Sequence, residues 1–124
     1  MPRRDRGAAA TSQSGKIEIS RGAIAAIVRD AVRQSYGVVG MAPVSFSRSL
    51  ARYIRQDDPQ RGIEIEVTGD QIVITLHVVL EYGLRISEVA HNLMDNVKFA
   101  VEHALGMPVQ AVNVHVQALH FSPE

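Results

Sequence analysis

Apolar positions recur at two different periods along this chain. Ile86, Val89, Ala90, Leu93, Val97, Ala100, Val101, Ala104 and Leu105 return at intervals of three and four. That spacing places them on one stripe of a helix, with Glu88, His91, Asn92, Asp95, Lys98 and Glu102 on the opposite face. Gly106 can take the left-handed conformation that ends a helix, and Pro108 prevents continuation. Gly83 separates this helix from the apolar run before it. A second amphipathic helix is predicted after Ser20, a natural cap, with Ile24, Ile27, Val28, Ala31 and Val32 on one face. Tyr36-Gly37 closes it, with Gly37 as the left-handed stop.

Elsewhere the period is two, that of strands. Residues 16–20 (KIEIS) give a short first strand. Residues 62–68 (GIEIEVT) turn Ile63, Ile65 and Val67 inward and Glu64 and Glu66 outward. Gly69-Asp70 is a two-residue turn signal. Residues 71–82 then carry Ile72, Ile74, Leu76, Val78 and Leu80 on one face. Val73, Thr75, His77 and Val79 occupy the other, which is apolar for an open surface. Cover on both sides would account for that, and so would a contact between copies. Val112, Val114 and Val116 alternate with Asn113, His115 and Gln117 in a last strand. Residues 38–44 (VVGMAPV), broken by Gly40 and Pro43, read as a brief extended piece. Over residues 46–55 a short helix is expected, and residues 56–60 (QDDPQ) form a loop. The order is β-α-(short α)-β-β-α-β. It implies an α+β fold, a single two-layer domain with one mixed sheet and two main helices packed on one face.

Length changes little: 124 residues make one domain. The core domain is expected over 15–121, with residues 1–14 a disordered tail, polar and small, and 122–124 a C-terminal tail. No apolar run approaches a membrane span, and the N-terminus lacks the apolar centre of a secretory signal. The chain has no cysteine, which removes disulfides, thiolate catalysis and cysteine metal sites together. Net charge is zero, but residues 1–61 hold six excess positive charges and residues 62–124 six excess negative ones. A bipolar surface of that kind favours self-association or an anionic partner.

Motifs for chemistry are absent. No phosphate-binding loop, dinucleotide fingerprint, nucleophile elbow or H-E-x-x-H pattern occurs, so no cofactor, metal or catalytic residue is expected. His77 and His115 fall on the outward registers of strands expected in one sheet, where they could approach each other. Ser87, His91 and Asp95 line up along one helix, but on the solvated side without an oxyanion site. Arg48, Arg52 and Arg55 share one side of the short helix and are the candidates for an anionic partner, although the domain is not basic overall and nucleic acid is disfavoured.

Taken in order, G-K-I-E-I-S, Y-G-V-V-G-M, Y-G-x-x-I-S-E-V-A, V-K-x-A-V-E, G-M-P-V and V-N-V-H-V-Q resemble the alkaline-shock-protein family of bacterial envelope stress response proteins. The likeness spans residues 15–121 and fits the short branch without extensions. It implies a small, non-enzymatic cytoplasmic protein tied to envelope homeostasis. Some members reach the membrane through a separate anchoring protein and self-assemble there. The family supplies no catalytic residues; its matching glycines, here Gly37, Gly40, Gly83 and Gly106, are expected to be structural turns. The expected function is that of a structural or adaptor protein that forms homo-oligomers and binds a protein partner, with Val73, Thr75, His77, Val79 and His115 as the self-association face. The alternative is a nucleic-acid-binding or regulatory module using the Arg-rich half.

Overall fold

The longest strand organises the molecule. In a computed structural model, described for residues 8–12, 14–42 and 62–122, the elements run β1 (Ala8–Ser12), β2 (Gly15–Ile19), α1 (Arg21–Arg33), β3 (Val38–Met41), β4 (Ile63–Thr68), β5 (Gln71–Glu81), α2 (Ile86–Leu105) and β6 (Ala111–His120). The fold is α+β, as the two periods predict, with two helices and two sheets among the described residues.

β5 lies at the centre of a mixed four-stranded sheet. The Gly69-Asp70 turn folds β4 back antiparallel on β5, pairing Thr68 with Gln71 and Ile63 with Leu76. β6 runs parallel along the other edge of β5, from Val73↔Ala111 to Glu81↔His120, with a register shift at Val78/Val79. β3 takes the stretch of β5 that β4 leaves free, pairing Val38 with Leu80 and Met41 with Val78. Thus β3 and β4 lie end to end on one edge, and they meet at His77. The His77 N–H donates to Gly62 O at 2.9 Å, and the Ala42 N–H donates to His77 O at 3.0 Å.

Both helices cover the same sheet face. Ile72, Ile74, Leu76, Val78 and Leu80 are fully buried in one cluster with Ile24, Val28 and Val32 of α1 and Val89, Leu93, Val97 and Val101 of α2. Each such side chain contributes about 2 kcal/mol of transfer free energy. Ser20 caps α1, its Oγ accepting from Ala23 N–H at 3.1 Å, and Gly106 ends α2 in the left-handed conformation at φ 70°. Between the helices, Ser35 is buried. It donates to Ala31 O and accepts from Asn96 Nδ2, a polar staple that apolar periodicity does not reveal.

Several expectations are corrected. Residues 8–12 are not tail: they form β1, paired antiparallel with β2 from Ala8↔Ile19 to Ser12↔Gly15, and Ala8 is buried in the core. The reason is that alanines show no alternation of their own, while a neighbouring strand can still pair with their backbone. The first strand read from KIEIS therefore belongs to a separate two-stranded sheet and not to the main one. Gly37 has φ 85° but is not the cap of α1, which ends at Gln34. A Cβ on Gly37 would press to 3.0 Å from Leu84 and Val89. Gly83 and Gly106 also have positive φ, whereas Gly40 is a strand residue opposite Val79. The short helix expected over 46–55 lies outside the described residues.

Candidate functional site

Period two sends Val73, Thr75, His77, Val79 and Glu81 to the sheet face away from the helices. Neighbouring strands add Glu64 and Glu66 from β4 and Asn113 and His115 from β6, each beside its registered β5 partner. At the middle of this face is His77, only 6% exposed. Its Nε2–H donates to Glu64 Oε2 at 2.7 Å, and Gln117 Nε2–H donates to its Nδ1 at 2.8 Å. Both bonds are satisfied at once by a neutral imidazole carrying its proton on Nε2. The His115 ring stacks on that of His77, centroids 5.1 Å apart and planes 11° from parallel. The two histidines read from the sequence as possible neighbours therefore meet.

Val73, Thr75 and Val79 are half-buried around this centre, while His115 is exposed. Asn113 reaches Thr75 Oγ1 at 3.5 Å. At the far end, Glu81 accepts from Ser122 Oγ–H at 2.5 Å and faces His120 Nδ1 at 3.5 Å. The Ser122 hydrogen bond, with His120 adding to it, holds the Glu81 carboxyl below the usual carboxylate range.

Chemically, this centre is closed on itself. Both nitrogens of His77 are engaged, and stacked parallel rings do not aim their nitrogens at one point. Among the described residues no three His, Asp or Glu side chains are grouped to hold a metal. His91 directs Nδ1–H to the Ser87 backbone carbonyl at 3.0 Å on an exposed helix face, so the row Ser87, His91, Asp95 is not assembled as a nucleophile array. A concavity of about 310 Å³ lies between α1 and β3, lined by Arg29, Val32, Arg33, Val38, Val39, Gly40 and Met41; neither His77 nor His91 lines it. Arg48, Arg52 and Arg55 fall outside the described residues.

Glu64 and Gln117 were missing from the sequence reading of this face. The signal for Glu64 was present: a two-residue turn at Gly69-Asp70 sets Glu64 opposite Thr75, diagonal to His77 on the same face. No local signal fixes the parallel register that brings Gln117.

The chain matches the model of the alkaline-shock-protein family, described by a cell envelope-related function, over residues 9–121. It is similar to the uncharacterized protein YloU of Bacillus subtilis, 37% identical over 106 residues that cover 85% of this chain and 88% of that protein. The uncharacterized protein Spy1614 of Streptococcus pyogenes serotype M6 is 35% identical over 107 residues, covering 86% of this chain and 88% of that one. Among solved structures, a variant of the MamM CTD aligns with a TM-score of 0.47 at 17% identity, over 77% of this chain and 94% of that chain.

Proposed function

The chain belongs to the alkaline-shock-protein family, with its cell envelope-related function, and from that premise we propose that it serves envelope homeostasis as a non-enzymatic adaptor, acting by self-association and by binding protein partners. In this reading it works in the cytoplasm and reaches the membrane through an anchoring protein partner. Among the described residues no helix is long and apolar enough to cross a membrane.

The observation that carries the reading is the sheet face around His77. Both described helices pack on the opposite face. The side away from them combines the half-buried Val73 and Val79 with a polar centre whose hydrogen bonds are already made. Burying a polar group costs free energy chiefly when its partners are lost. A face satisfied in advance can therefore be covered by another protein surface at little polar cost. The same closure argues against chemistry there, since both ring nitrogens of His77 are occupied by side chains of the protein itself.

Light scattering after size exclusion tests the face, using the wild type and the double variant Val73→Lys, Val79→Lys. The wild type is expected to exceed the 13.6 kDa of one chain, and the charged variant to fall toward it. An unchanged mass in a folded double variant would remove this face from the interface.

A further inference from the structure

The two outer edges of the main sheet are treated differently. On the β4 side, Arg21 Nη1–H donates to Ile65 O at 3.1 Å, so a side chain already occupies that edge. On the other side, β6 pairs with β5 alone among the described residues. Gln110 N–H is spent on Ile72 O. In the parallel register Ile74 lies beside Val112 and both face the helices, so β6 turns the N–H and C=O groups of Ala111, Asn113 and His115 to β5 and those of Val112, Val114 and Val116 outward.

β6 also lacks the usual guards. Its ten residues, AVNVHVQALH, contain no Lys, Arg, Asp, Glu or Pro, the residues that ordinarily keep an exposed edge from pairing. Apolar surface accompanies the bare backbone. Val116 and Leu119 are each 38% exposed, and the exposed Phe121 ring stacks on Tyr82 at 4.1 Å.

We propose that the outer edge of β6 pairs antiparallel with β6 of a second copy of this chain, joining the two sheets across a two-fold axis. A second copy suits this edge for three reasons. Antiparallel pairing of identical strands about a two-fold is self-complementary, each outward donor meeting an outward acceptor. No carboxylate, ammonium or guanidinium of β6 meets its like. An axis at His115 sets Val114 of one copy opposite Val116 of the other, a favourable β-branched pair. Because a two-fold uses the β6 edge of each copy once, the pairing closes at two copies. The proposal rests on the self-association read above but places it on an edge, not on the face around His77.

Amide hydrogen exchange of the full chain, resolved by residue at several concentrations, tests the edge. The Val114 and Val116 amides are expected to slow at least tenfold from dilute to concentrated protein. Val116→Pro removes one outward donor without touching the β5–β6 bonds, as an edge strand tolerates. It is expected to halve the mass attributable to edge pairing while leaving the fold's circular dichroism unchanged. Should that variant misfold, Val114→Pro and the wild-type exchange decide. Exchange at these amides that ignores concentration while the wild type stays associated would overturn the edge and leave the face reading standing. A wild type that is monomeric at every concentration would overturn both.

Discussion

His77 holds four hydrogen bonds at once: two through its ring and two through its backbone, the latter joining the ends of β3 and β4. If its role is to organise the face, replacing it matters for stability. His77→Leu leaves Glu64 and Gln117 without their shared partner and is expected to cost about 1–3 kcal/mol in urea unfolding. A change within error would show that the ring contributes nothing. A second prediction at this scale concerns pH. The ionised form of Glu81 is favoured in the folded protein by Ser122 and then His120. The sign follows from a lowered pKa: the contribution is present above the ordinary carboxylate range and fades as pH falls through the lowered value. Ser122→Ala should raise the Glu81 midpoint, read by NMR titration of its side-chain carboxyl; an unmoved midpoint would contradict the assignment. How far single residues could be read from sequence depended on distance along the chain. The tight turn made Glu64 deducible as a neighbour of His77. Gln117 arrives by a parallel crossover through α2, and no short-range pattern sets that register.

Elements were legible where one period ran long enough. Both described helices, the β4–β5 hairpin and the strand character of β6 follow from spacing alone. β1 escaped because its side chains are small and do not alternate, and the seam between β3 and β4 escaped because it is made by backbone. That seam carries a glycine of consequence. Gly62 has φ 74°, and a Cβ there would stand 2.3 Å from Ala42 O and 2.8 Å from His77 O. Gly69 has φ 62° but opens onto space. Gly69→Ala should therefore cost about 1 kcal/mol, the penalty of left-handed backbone alone. Gly62→Ala should cost at least twice about that amount, since two carbonyl oxygens must also move. Equal losses of thermal stability would show that the seam is not as tight as described.

At the scale of the whole molecule, one sheet face is fully committed to the helices and the other centres on polar groups that bond among themselves. The sequence pattern announced the apolar character of that second face, in Val73 and Val79, but could not say what accompanies it, because that depends on strands far apart in the chain. The fold offers surfaces more readily than a reaction centre: a self-satisfied face, a ten-residue edge strand with no outer neighbour among the described residues and a stacked aromatic pair at the end of β6. Association through either surface would stabilise the folded chain by mass action. Sedimentation equilibrium of the wild type across micromolar concentrations measures that most directly. The account predicts a weight-average mass at least twice 13.6 kDa at the upper end, falling toward the single-chain value on dilution. A mass of one chain at every concentration would contradict it.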